Sequence, residues 1–238
     1  MFGFINKGKG SAVEKKNASG FYIENYATYA PKDYKLPKYA KEGFMQNSIV
    51  HKIVCDIAES ASGVNLIPMR RDKEDFNSDF AKLVSEPNAF QSQPEFINEI
   101  VSCLMIYGEA FVLAMGVSDD SGRLKGGNAK PAGLVVYNPE LVSVKVRSNG
   151  TPEYYEIGCN GKKRYYVDPA TGESSILHIK NYNPHNVNRG LSPMMACGYE
   201  VDLYNLAMAW NNGLLGNGAR PSMVVRTKGT MGDEEFAA

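Results

Sequence analysis

The chain has 238 residues, 43% of them hydrophobic and 22% charged, a composition that excludes collagen-like repeats and wholesale disorder. A chain this long buries roughly 70–75% of its extended surface on folding, so its core needs no disulfide or metal. Lys plus Arg number 26 and Asp plus Glu number 26, so the chain lacks the basic excess of proteins that grip nucleic acid by counterion release.

The four cysteines, at 55, 103, 159 and 197, are too widely spaced for a zinc ribbon or a thioredoxin-type motif and read as free thiols. The most apolar run, Ile100 to Val117, carries Gly108-Glu109 at its centre. It reads as a helix turning into a buried strand rather than a membrane span.

Residues 1–43 read as an extended arm. Up to Lys41 they hold eight lysines against Glu14, Glu24 and Asp33, with tyrosines at 22, 26, 29, 34 and 39. No period is sustained, and Lys and Tyr suit a neighbouring subunit or a phosphate surface. From Asn47 the spacing of Ile49, Val50, Ile53, Val54, Ile57, Ala58 and Ala61 predicts an amphipathic helix over 48–61, stopped by Gly63. Val64 to Met69 reads as a short strand, with Pro68 placing it at an edge.

Phe76, Phe80, Leu83 and Val84 mark a short second helix. Glu86-Pro87-Asn88 is a turn, and Ser92-Gln93-Pro94-Glu95 is a capping box with Pro in the first helical turn. Behind it Phe96, Ile97, Ile100, Val101, Leu104 and Met105 form one helical face, ending at Gly108. Glu109–Met115 then reads as a strand. Over 116–180, turn chemistry separates five β-prone runs: 134–137, 141–147, 153–157, 163–167 and 175–180. Asn160-Gly161 is the strongest hairpin signal. The short loops predict an antiparallel meander.

Ser192-Pro193 opens the longest helix, expected to run to about Leu215 with Met195, Tyr199, Leu203, Leu206, Trp210 and Leu214 on its apolar side. Ser222–Thr227 reads as a strand. Thr230-x-x-Asp233 reads as a helix start with nothing behind it, so the sequence reads as incomplete at its C-terminus.

No residue set qualifies as catalytic, cofactor-binding or metal-binding. Gly213-Leu-Leu-Gly216-Asn-Gly218 follows a helix instead of opening one, so it terminates a helix rather than cradling phosphate. His51, His178 and His185 have no ligand cluster around them and read as structural. Asp119-Asp120 reads as a solvated turn and Glu109 as a strand end. On residues alone, two other classes stay open: a nucleic-acid-binding module using the basic arm and Lys162-Lys163-Arg164, and an enzyme with a dispersed site.

The order of several short motifs resembles one family. Leu83-Val-Ser-Glu-Pro87-Asn88, then Gln91, Phe96 and Leu104-Met-Ile-Tyr-Gly108-Glu-Ala110-Phe111, are similar to a stretch of tailed-bacteriophage portal proteins. So are Asn138-Pro139 before a β segment, Ile176-Leu177-His178-Ile179-Lys180, Gly190-Leu191-Ser192-Pro193 and Asn217-Gly218-Ala219-Arg220-Pro221. The likeness spans residues 45–230, with Glu109 standing where the family usually shows Asn. It implies an α+β, wing-like domain over 44–230, with residues 231–238 opening a stem-like helix.

It also implies a function. A portal subunit joins a ring of usually twelve at one capsid vertex of the virion, and is assembled in the bacterial host cytoplasm. The ring passes double-stranded DNA with weak, non-specific contact. It docks the terminase large subunit, the capsid and head–tail adaptor proteins. It is not an enzyme, takes no cofactor and contacts no membrane.

Overall fold

A computed structural model describes residues 38–71, 73–125, 129–158 and 161–218. The fold is α+β, with helices packed on antiparallel sheets. It opens on α1 (Tyr39–Met45), a π-helical turn, followed by α2 (Ser48–Ser62). Asn47 sets the start of α2 by accepting from the backbone N–H groups of Ile49 and Val50, both at 3.1 Å, a standard N-cap arrangement. Residues 38–43, which the sequence places in the extended arm, are helical here. Ala40 and Phe44 pack into a cluster with Val54, Ile106, Tyr107 and Met194. Residues 1–37 lie outside the described residues.

Of the strand expected at 64–69 only Met69 is in a strand, β1 (Met69–Arg70), which pairs with β2 (Lys73–Glu74). Pro68 has no N–H to give a ladder, so pairing begins after it. Then come α3 (Asp79–Ser85) and α4 (Gln93–Tyr107). The expected capping box is formed: the Glu95 carboxylate accepts from the Ser92 N–H and hydroxyl, each at 2.8 Å. In α3 Ala81 is buried, Leu83 and Val84 are half-buried and Phe80 is exposed, while Phe76, also exposed, lies before the helix.

The β-prone runs all form strands, but in two sheets rather than one meander. β3 (Glu109–Met115) lies between β4 (Gly133–Tyr137) and β8 (Ile176–Lys180). The true meander is β5 (Val142–Val146), β6 (Pro152–Gly158) and β7 (Lys162–Tyr166). β8 returns across the meander to pair with β3, matching Phe111 with His178. The reason lies in β3 itself, which is apolar on both faces. Ala110 and Val112 pack with Phe96 and Ile100 of α4, while Phe111 and Leu113 pack with Val142, Tyr155, Ile157 and Tyr165 of the meander. A strand buried on both sides takes the centre of a sheet and is covered by a second layer.

The long helix is interrupted. α5 (Pro193–Ala196) ends at Cys197, and α6 (Gly198–Gly216) starts anew. Gly198 and Asp202 are its buried residues. The side chains of the expected apolar side, Met195, Tyr199, Leu203, Leu206, Trp210 and Leu214, are all exposed, and from Leu206 onward every residue of α6 is. Their spacing gives one apolar face, and its side chains are exposed. Trp210→Ala, expected to cost 3–5 kcal/mol were the indole buried, is therefore expected to change the stability of the isolated chain by less than about 1 kcal/mol, since an exposed side chain loses little burial. Urea unfolding of the two proteins checks this. The strand expected at 222–227 and the helix start at Thr230 lie outside the described residues.

Candidate functional site

The residues singled out by their motif spacing converge where α4 meets β3. Gly108 closes α4 with φ of 79°, a backbone state that favours glycine. Its carbonyl accepts from Asn181 N at 2.8 Å, and the Asn181 amide reaches Leu104 O at 3.2 Å. The loop after β8 then crosses this junction so closely that Gly190 and Gly108 meet backbone to backbone.

Glu109, the first residue of β3, is 1% exposed and acts as the hub. One carboxylate oxygen accepts from His178 Nε2 and from Gly190 N, both at 3.0 Å. The other pairs with Arg189 at 2.5 Å. Arg189 also donates to Val142 O at 3.2 Å, which carries the link to the meander. His178 stacks on Phe111, with ring centroids 4.2 Å apart, and meets Tyr155 edge-on at 5.8 Å. Burial raises the Tyr155 phenol pKa above its ordinary value, and the Glu109 charge adds to the shift. Because both Glu109 oxygens are engaged by donors, the carboxylate acts as a fixed acceptor, not as a free acid or base. Reading Glu109 as a simple strand end missed this. Its partners lie 69 to 81 residues away, and only the β3–β8 register brings them together.

Ser192 sits beside the hub, 3% exposed. Its hydroxyl donates to Ile106 O at 2.7 Å and accepts from Met194 N at 3.1 Å. It is the expected N-cap, and it also ties α5 to the end of α4. Ser192→Ala is expected to cost about 1–2 kcal/mol, the usual range for a lost cap, with the sheet intact. Thermal unfolding checks the first expectation and circular dichroism the second.

A second pin involves Pro87, Asn88 and Gln91. Leu134 N donates to Pro87 O at 2.6 Å, and the Asn88 amide donates to Leu134 O at 3.0 Å and Gln91 Oε1 at 2.8 Å. These contacts extend β4 into the α3–α4 connection. Nearby, the Tyr107 hydroxyl donates to Glu140 at 2.9 Å. Its pKa is raised, by burial first and by Glu140 next.

The other candidates are dispersed. Strand alternation splits Lys162-Lys163-Arg164 between two faces: Lys162 and Arg164 both pair with Glu156, while Lys163 lies over the Tyr165 ring. Glu156 thus offsets one of the three charges of this basic run. Asp119 caps its own turn, accepting from Arg123 N and the Ser121 hydroxyl, each at 2.8 Å. His185 lies in the loop after β8, its backbone N–H bonded to Asn183. A cavity of about 490 Å³ between Arg123, Arg147, Glu153, Tyr166 and Asp168 is of mixed charge, and Arg147 spends itself on Val167 O at 2.6 Å. Among the described residues no group of three His, Cys, Asp or Glu side chains is placed to hold a metal ion. No described helix is long and apolar enough to cross a membrane.

Comparison with known proteins bears directly on these features. The profile of the family described as phage portal protein matches residues 48–238. An uncharacterized protein of Rickettsia bellii (strain RML369-C) is 28% identical over 200 residues, 82% of this chain and 49% of that one. Another, from Rickettsia felis (strain ATCC VR-1525 / URRWXCal2), is 27% identical over 207 residues, 85% of this chain and 51% of that one. Among solved structures, a chain from the neck of an empty gene transfer agent particle computed with C6 symmetry is similar, with 26% identity and a TM-score of 0.65 over 88% of this chain and 54% of that one. The neck of a native particle computed with C12 symmetry contains a chain of 25% identity and TM-score 0.63, covering 88% and 53%. The chain thus spans about half the length of the relatives it matches.

Proposed function

The chain belongs to the phage portal protein family, whose members are structural and non-enzymatic, and from that premise we propose that it is one subunit of a closed ring at a single vertex of a phage-like particle. The ring passes double-stranded DNA during packaging and ejection, and docks the terminase large subunit on one side and head–tail adaptor proteins on the other. A dodecamer is the proposed count, in keeping with the C12 symmetry used for the neck of the similar gene transfer agent particle. Contact with DNA is weak and non-specific. The equal numbers of basic and acidic residues leave no net positive field to hold phosphate.

The observation that carries the ring is that, among the described residues, two different helix faces carry exposed apolar side chains. One is the outer side of α6, with Leu203, Leu206, Trp210 and Leu214. The other is the stripe Ile49, Ile53 and Ile57 on α2. These are i, i+4 neighbours, while Val54 and Ala58 turn inward. Exposed patches of this kind mark contact surfaces. Two unlike faces on one chain suit head-to-tail contacts, which close into rings, rather than a self-complementary dimer. The polar hub at Glu109 serves this role by holding the sheet layer and the base of α5 in one fixed relation, so that the faces keep a constant angle.

Negative-stain electron microscopy of the purified protein tests the reading. Rings are expected, and Leu206→Glu combined with Trp210→Glu is expected to yield folded single subunits. Rings that persist in this variant would move the interface away from α6. Single subunits of the unaltered protein at every concentration would overturn the ring itself.

A further inference from the structure

The cysteines of the described residues sit in three different environments. Cys103 is partly buried against α2, and burial, with the Glu99 charge second, pushes its thiol up to about 12; such a thiol is inert at neutral pH. Cys197 is exposed at the break before α6. Cys55, half-buried on α2, lies one helical turn from His51, with Sγ 3.6 Å from His51 Nε2.

The direction of that contact follows from the other end of the ring. His51 Nδ1 lies 3.3 Å from Phe44 O. A carbonyl only accepts, so Nδ1 carries the proton, and in the neutral imidazole Nε2 then presents its lone pair to the Cys55 thiol. The Phe44 ring packs on the imidazole, with centroids 4.5 Å apart, which restricts its rotation. Thiol, base and orienting acceptor are thus set in a row, the arrangement that activates a nucleophile.

We propose that the Cys55–His51 pair is a covalent modification site, at which Cys55 is the thiol that reacts with a low-molecular-weight disulfide. In the step, the Cys55 proton passes to His51 Nε2 and the thiolate attacks one sulfur of the disulfide. The disulfide's S–S bond breaks as the new one forms. The departing sulfur leaves as a thiolate and takes the proton back from His51. Cys55 is oxidised to a mixed disulfide, and half of the incoming disulfide is reduced to a thiol. The site does not compete with the proposed ring contact. At 100° per residue, Cys55 lies about 240° round the α2 axis from Ile49, and His51 about 200°, on the flank away from the Ile49, Ile53 and Ile57 stripe.

The test is incubation of the whole chain with oxidised glutathione at neutral pH, followed in time by peptide mass spectrometry. Cys55 is expected to gain a glutathionyl group about fivefold or more faster than Cys197, because His51 Nε2, 3.6 Å from Sγ, stands ready to take the proton as the thiol attacks. Cys103 is expected to stay unmodified. His51→Gln is expected to bring the Cys55 rate down to that of Cys197 or below, leaving Cys197 unchanged. The direction matters: a loosened helix would speed Cys55 and Cys103 together, whereas loss of the base slows Cys55 alone. If the variant does loosen the fold, the unaltered chain decides. A Cys55 rate no greater than that of Cys197 overturns the proposal, as does a Cys55 rate that His51→Gln leaves untouched in a folded variant.

Discussion

Replacing Glu109 by alanine is expected to destabilise the chain by about 3–5 kcal/mol, the range for removing one member of a buried ion pair and leaving the other uncompensated. Three donors would lose their acceptor at once: His178 Nε2, the Gly190 amide and the Arg189 guanidinium. His178 is deeply placed, its side chain 5% exposed, while Gly190 is half-buried. Arg189, at 26%, reaches water more easily, so the upper end of the range is not expected to come from the charge pair alone. Glu109→Gln keeps the size and one acceptor oxygen, and should cost distinctly less. The discriminating measurement is a double-mutant cycle. Arg189→Ala is expected to cost about 1–2 kcal/mol alone and close to nothing in the Glu109→Ala background, because residues sharing one network do not add. If the two substitutions added, Arg189 would be held by Val142 O and the Phe111 ring and not by Glu109.

This hub shows why some features of the chain are legible in sequence and others are not. Caps and turns are local. Ser92 and Glu95 form their box within one helical turn, and Ser192 caps α5 two residues ahead. The strand β3 is legible because six unbroken apolar residues, Ala110 to Met115, follow Gly108-Glu109. Glu109 offered only a contrary signal, a carboxylate at the head of that run. Its neutralising partners become visible once β8 is laid beside β3 in register. The uncovered side of α6 fails for another reason. Periodicity reports that a helix has an apolar face, not what lies against it, and the side chains of that face are exposed. The break at Cys197 is likewise invisible locally, because Met195, Ala196 and Tyr199 are ordinary helix residues. Gly198 and Asp202 are the positions buried at the base of α6, so α6 packs along a line that a straight continuation of α5 does not present.

The crossing of Gly190 over Gly108 sets the second large effect. A Cβ on Gly190 would lie 1.9 Å from Gly108 O and 2.6 Å from Gly108 C. Both are backbone atoms, so no side-chain rotation relieves the contact, and the loop must lift. Lifting it pulls the Gly190 amide from Glu109 and draws on Arg189 next to it, so the steric and polar losses fall together. Gly190→Ala is therefore expected to cost about 4 kcal/mol or more, at the far end of single substitutions. Gly150 supplies the comparison. Its φ is 85° but a Cβ there meets nothing within 4 Å, so Gly150→Ala carries the conformational penalty alone, about 1–2 kcal/mol. Urea denaturation of both variants separates the two causes. A Gly190→Ala loss no larger than that of Gly150→Ala would mean that the loop yields without strain. The hub would then be too soft to hold α6 at a constant angle, and rings of that variant, imaged beside those of the unaltered chain, should be indistinguishable. A large loss predicts instead that the variant, even where it still folds in the cold, forms irregular or open rings, because in the proposed ring this crossing would set the angle at which α6 meets the next subunit.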